Sequence, residues 1–140
     1  MKQFEYLDHT ADIIVKGSGD TLAEAFAAVG EGMIALMTHD APVARAKSKA
    51  VAVDAIDRES LLVTFLSQLL LVFEVERFVP GEITVEFSSG TSLTAQLVGE
   101  LFDRDRHGQG IPVKGVSYHL LEIHDATDGH PCWVQVLLDI

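Results

Sequence analysis

The sequence predicts an α+β fold of two layers, with two main helices packed on one face of a mixed, mainly antiparallel β-sheet. Three observations carry this. Two stretches in the first half are apolar at helical spacing. Several stretches in the second half are short, strand-like and separated by turn residues. The helices fall early and centrally and do not alternate one for one with strands, as a parallel sheet would require.

Each element follows from its own residues. Residues 4–7 and 12–17 read as short strands around LDHT, ended by the turn GSGD. Asp20 or Thr21 can cap a first helix, with Glu24 three residues after Thr21 as in a capping box. Leu22, Phe26, Val29, Met33, Leu36 and Met37 then recur at intervals of mostly three and four, one stripe of a helix. From Ser48 to Ile56 the residues alternate as in a half-buried strand. Asp57 is placed to cap a second helix, whose run from Leu61 to Phe73 is apolar on more than one face and predicts the central, most buried helix. Pro80-Gly81 is expected to stop it. Strands are expected at 83–87, 91–101, 112–124 and 132–138, with loops at SSG, DRDRHGQG and DATDGHP.

The chain has 140 residues, room for one domain (1–140) and enough to bury a core without disulfide or metal. With 21 acidic against 10 basic residues its formal charge is −11, which argues against independent high-affinity binding to a phosphate backbone. That excess suits hard cations or basic protein surfaces. Cys132 is the single cysteine, so an internal disulfide and an all-cysteine zinc site are excluded. Acidic residues stand where a signal peptide needs an apolar core, and the run from Leu61 to Phe73 is too short to span a bilayer. A soluble, cytoplasmic protein that does not engage membranes is expected.

The polar residues that stand out lie at strand ends: His9 and Asp12, Lys114 and His119, and the terminal pair Asp139-Ile140. In a regular strand His9 and Asp12 would point opposite ways, so a turn or bulge at Thr10-Ala11 is required if both act together. Lys114 shares a strand face with Val116, Tyr118 and Leu120, whereas His119 shares the other with Val113 and Ser117. Asp139 beside a terminal carboxylate places two negative charges together with no nearby Lys or Arg in sequence. Two readings stay open: a solvated chain end, or, if the last strand lies beside Asp12, a hard-cation site for calcium or magnesium.

Other motifs fall away. DRDRHGQG imitates an EF-hand start, but His107 occupies the fifth position and Lys114 the twelfth, where a bidentate glutamate is needed. Gly108 and Gly110 lack the third glycine and preceding βα unit of a dinucleotide site. His119, His124 and His130 lack zinc-ligand spacing, and GSG and SSG are turn tripeptides, not nucleophile elbows. Cys132 has no thiolate-stabilising context. No acid–base pair or nucleophile dyad assembles, so no catalytic residue is assigned.

HTADI at 9–13, GDTLAEAF at 19–26, DRESLL at 57–62, GE at 99–100, VKGVSYH at 113–119 and the terminal DI at 139–140 together resemble the archease family in order and approximate spacing. Gly115 and Ser117 stand where alanine and threonine are more usual. The resemblance implies an accessory protein, not an enzyme: an activator of an RtcB-type RNA ligase in tRNA splicing and RNA repair. It would promote guanylylation of the ligase's active-site histidine and multiple turnover. It also implies a metal site on Asp12, Asp139 and Ile140, with Ca2+ the usual occupant and Mg2+ or Mn2+ as alternatives. Lys114 matches the lysine implicated in activation, and His9 and His119 match motif positions in supporting roles. Two further readings are a general chaperone or interaction module with a structural metal, and a metal-dependent phosphoester hydrolase using Asp12, Asp139 and His9 or His119.

Overall fold

The computed structural model describes residues 1–9 and 12–140, with only the backbone of Asp8 and His9. The elements are β1 (Gln3–His9), β2 (Asp12–Gly19), α1 (Leu22–Thr38), β3 (Lys47–Asp54), α2 (Arg58–Glu74), β4 (Phe78–Ser89), β5 (Ser92–Leu101), α3 (Arg104–His107), β6 (Gly115–His124) and β7 (Cys132–Asp139). The α+β class holds. The strands, however, divide between two sheets, ordered β1-β2-β7-β6 and β3-β5-β4. All their pairings are antiparallel.

Helix α1 joins the two sheets, packing on β2 and β7 of one and on β4 of the other. The Thr21 hydroxyl accepts the Glu24 N–H at 3.1 Å, and Glu24 Oε1 reaches back to the Asp20 N–H at 3.2 Å. These contacts satisfy amides at the helix start. Eleven of the seventeen residues of α1 are buried, against eight of seventeen in α2, so α1 and not α2 is the most enclosed helix. Its small residues permit this. A Cβ on Gly32 would stand 2.9 Å from both Phe4 Cγ and Val15 Cγ1. Apolarity on several faces of α2 suggested depth, but alanine and glycine in α1 allow strands to approach from two sides.

Asp57 caps α2, accepting the Ser60 N–H at 2.7 Å, and this bond holds its carboxyl below the usual value. The helix ends at Glu74, before Pro80-Gly81, and Arg77 turns the chain in a left-handed conformation (φ 56°). Pro80-Gly81 lies instead within β4, where the register skips from Pro80 to Glu82. β4 is an edge strand, the position where a residue without an N–H is tolerated. Gly99 opposite is needed there, because a Cβ would strike the Val79 carbonyl. Farther along this edge, Glu31 accepts the Ile83 N–H at 2.8 Å and Lys2 donates to the Ile83 carbonyl at 3.2 Å. Side chains thus occupy groups that an open edge would expose.

One continuous apolar cluster, including Val15, Phe26, Phe65, Leu97 and Leu138, fills the space between the helices and both sheets. Among the described residues no helix is long and apolar enough to cross a membrane.

Candidate functional site

The β2–β7 ladder sets Asp12 directly opposite Asp139, and β6 sets Gly115 opposite Asp139 from the other side. On β1 the backbone of His9 pairs with Asp12. His9, Asp12, Asp139 and Gly115 therefore form one row across the four-stranded sheet. Directly opposed residues share a face, so both aspartates leave the sheet on the same side. Thr10 and Ala11, where a turn or bulge was required, lie outside the described residues, as does the His9 side chain.

Asp139 is exposed, and among the described residues no cation pairs with its carboxylate. Ile140 follows it and packs against the core while remaining partly exposed. Gly115 leaves the flank of Asp139 open; even a Cβ there would stay 3.7 Å from its Oδ2. Lys114 is exposed and precedes β6, and its backbone N–H donates to the Asp139 carbonyl at 2.7 Å. The structure thus brings Asp12, Asp139, Ile140 and Lys114 to one end of the sheet.

The expected alternation of faces through 112–124 does not hold. Val113 and Val116, three apart, both pack into the core, so Lys114 and Val116 do not share a simple strand face. The β6–β7 register is interrupted between Ser117 and Glu122, where Leu120 takes φ 62°. His119 lies in this irregular stretch, exposed, with its N–H on Ser117 Oγ at 3.0 Å. Among the described residues no hydrogen bond or ion pair ties His119 to Asp12, Asp139 or Lys114.

Asp12 and Asp139 are hard oxygen donors on one face, a donor set that fits calcium or magnesium and not a thiolate-seeking ion. Among the described residues no group of three or more His, Cys, Asp or Glu side chains is placed to hold a metal ion.

Two polar assemblies were not foreseen. DRDRHGQG, expected as a loop, contains α3, and its His107 is fully buried. The His107 Nδ1 accepts the Asp103 N–H at 2.9 Å, which leaves Nε2 to donate to Glu100 Oε2 at 3.1 Å. The Ala44 N–H, also on Oε2 at 2.8 Å, together with Arg106 and His107 holds the Glu100 carboxyl down at about 2. This network ties β5, α3 and the segment before β3 together. The second assembly is at the opposite end of the four-stranded sheet, where His124 stacks on Trp133 at 4.0 Å and Lys16 lies 4.3 Å from the same ring's centre. Only the strand register brings these three together, and their spacing in the chain gave no sign of it. Cys132 beside them is buried.

Comparison with known proteins agrees with the motif reading. The model of the archease protein family matches residues 4–140. The archease of Methanosarcina barkeri is 37% identical over 144 residues, covering 99% of this chain and 97% of that one. The archease of Thermococcus gammatolerans is 36% identical over 132 residues (92% and 93%). An archease-like protein of Drosophila melanogaster is 33% identical over 141 residues (99% and 90%). The solution structure of Methanobacterium thermoautotrophicum protein 1598 superposes with a TM-score of 0.71 at 26% identity, over 98% of both chains. A Thermotoga maritima structure described as an archease, possible chaperone, shares the fold, with a TM-score of 0.61 at 20% identity over 96% and 94%. The family match from Phe4 to Ile140, and relatives a third identical along nearly their whole length, place this chain in the archease family.

Proposed function

We propose that this protein is a non-catalytic activator of an RtcB-type RNA ligase, acting through the sheet end that carries Asp12, Asp139, Ile140 and Lys114. The observation that supports it best is the direct opposition of Asp12 and Asp139 in the β2–β7 ladder. Two carboxylates directly opposite on one face at a sheet end put hard oxygen donors together, which suits a divalent cation. Asp12, Asp139 and the Ile140 carboxylate would hold a hard divalent cation, Ca2+ or else Mg2+ or Mn2+, which when bound would neutralise their mutual repulsion.

Lys114 has its main chain fixed to Asp139 and its side chain exposed, so it is presented beside the acidic pair. The formal charge of −11 favours docking on a basic protein surface over competition for RNA. The proposed role is to promote guanylylation of the ligase histidine and so to sustain turnover in tRNA splicing and RNA repair.

The test is multiple-turnover RNA joining by a purified RtcB-type ligase with substoichiometric amounts of this protein. Stimulation should disappear with Asp12→Ala, Asp139→Ala or Lys114→Ala. Full stimulation by folded forms of all three would refute the assignment. A second reading, a general chaperone, draws on exposed apolar side chains such as Tyr118 (57%) and Leu120 (41%) and on the description of the Thermotoga relative. It predicts equal suppression of aggregation for unrelated clients and no preference for the ligase.

A further inference from the structure

At the end of the four-stranded sheet away from Asp12, β1, β2 and the 125–131 loop enclose a cleft of about 430 Å³. That is the size of a small-molecule site, not of a single ion. Lys16, Ser18 and Trp133 form its floor, and Gln3 and Glu5 stand on the β1 side. The loop wall carries Thr127 and His130.

This loop is pinned. Thr127 and His130 exchange backbone hydrogen bonds of 3.2 and 2.9 Å around Gly129 (φ 78°). Arg58 at the start of α2 grips both oxygens of Asp125 at 3.3 and 3.1 Å. The floor is equally fixed. His124 stacks on one face of Trp133 at 4.0 Å, leaving no room for an ammonium there, so Lys16 covers the other face.

The hydrogen-bonding inventory then selects the ligand. Among the described residues the Lys16 ammonium has no carboxylate in ion-pair range and no hydrogen-bond acceptor, and it lies over the indole ring. Of the neighbouring carboxylates, Asp125 is engaged by Arg58 and Glu122 by His124 Nε2 at 2.9 Å, while Glu5 stands directly opposite Lys16 in the β1–β2 ladder and forms no ion pair with it. Among the described residues no arginine lines the cleft to fork onto a planar carboxylate. The Lys16 ammonium is a point charge, and Ser18 on the floor and Thr127 on the loop wall add hydroxyls, which suits the separately directed oxygens of a tetrahedral phosphate. Glu5 and the Gln3 carbonyl remain as acceptors, able to take hydrogen bonds from hydroxyl groups on the body of the same ligand.

We propose that this cleft binds a hydroxyl-bearing phosphomonoester, with Lys16, Ser18 and Thr127 on the phosphate and Glu5 and Gln3 on the hydroxyls. A free sugar phosphate and a nucleoside monophosphate present the same chemistry. The site is separate from the Asp12–Asp139 end and does not depend on the function proposed for that end.

Trp133 is the single tryptophan of the chain, so its fluorescence reports on the cleft alone. Titration in chelator-treated buffer with ribose 5-phosphate, adenosine 5′-monophosphate, inorganic phosphate and ribose gives the test. Both phosphomonoesters should produce a saturable change. Lys16→Met, which keeps the apolar stem over the ring, should weaken both by at least about tenfold, the scale of one lost charge-assisted contact. Tighter binding of the nucleotide or of the sugar phosphate names the source, and either supports the site. Amide shifts at Ser18, Thr127 and His130 should localise the binding, and Thr127→Val provides a second variant should Lys16→Met fail to fold. The proposal is overturned by no saturable change at millimolar phosphomonoester, by an unaltered midpoint in folded variants, or by inorganic phosphate or ribose binding as well as ribose 5-phosphate.

Discussion

Replacing Asp139 by asparagine should change stability in opposite directions with and without a divalent cation. The side chains of directly opposed strand residues stand roughly 5 Å apart, and two unit charges at that distance in water repel by about 0.8 kcal/mol. Salt at physiological strength reduces this to about 0.4 kcal/mol. Asp139 lies exposed opposite Asp12, so the water-like figure is the relevant one. In chelator, Asp139→Asn should therefore melt at the wild-type temperature or a degree or two above it. A cation bound only by the folded protein, at about a hundred times its dissociation constant, adds about 2.7 kcal/mol. For a chain of 140 residues that raises the melting temperature by about 9 °C. Wild type should show this rise in Ca2+ and Asp139→Asn should not, which makes the substitution destabilising there. Thermal melts of both proteins in chelator and across a Ca2+ series give the answer. An equal rise in both proteins, or none in wild type, would refute the placement of a cation on this pair.

Lys114→Ala should abolish ligase stimulation while changing stability by less than about 0.5 kcal/mol, because the contact to Asp139 is made by its backbone N–H and its side chain is exposed. The Glu100 carboxyl sits at about 2 in the folded protein, below its ordinary 4.5, chiefly through the Ala44 N–H and then Arg106. Its contribution to stability is therefore complete above the ordinary value and lost as pH falls from there toward 2. Denaturant titrations of Glu100→Gln should show a flatter acid limb in that window, and an unchanged slope would exclude the network as its source. Gly32→Ala should cost about 1–3 kcal/mol by overpacking against Phe4 and Val15, read from urea unfolding. Adding one glycine after Ile140 should leave the melt in chelator unchanged and weaken the Ca2+ response, and an undiminished response would remove the terminal carboxylate from the donor set.

What the sequence shows of this fold is its local part. Thr21 and Asp57 are found as caps because each bond spans only three residues, a distance the chain itself fixes. The division into two sheets is not visible, because it depends on which distant strands pair. β2 joins β7, from the far end of the chain, while β3, β5 and β4 join one another. The same nonlocality governs the site. The residues alone leave Asp139 as either a solvated acid or half of a pair, and the β2–β7 register sets it opposite Asp12. A period-two reading of 112–124 fails twice, because Val113 and Val116 both pack into the core and because the register with β7 breaks around Leu120. His107 is missed for a different reason: its burial follows from bonds to Glu100 and Asp103, and nothing in DRDRHGQG distinguishes such a histidine from an exposed one.

The two candidate sites share one face of one sheet, so the separation between them decides whether they can influence each other. Asp12 and Lys16 lie on the same strand four residues apart, about 13 Å at strand rise. That exceeds the screening length of roughly 8 Å in physiological salt. Between them Ile14 and its partner Leu137 are buried, 7% and 4% exposed, under the irregular part of β6, where Gln135 donates to the Leu120 carbonyl at 2.9 Å. A packed apolar row thus separates the acidic end from the cleft, and no charged side chain in it could relay a titration from one to the other. Substitutions at the two ends should then act additively on stability, within about 0.5 kcal/mol. Coupling larger than that in Asp139→Asn with Lys16→Met would have to pass through movement of the 117–122 stretch over Ile14 and Leu137. Its signature would be amide shifts at Leu120 and Gln135 when either end is altered alone.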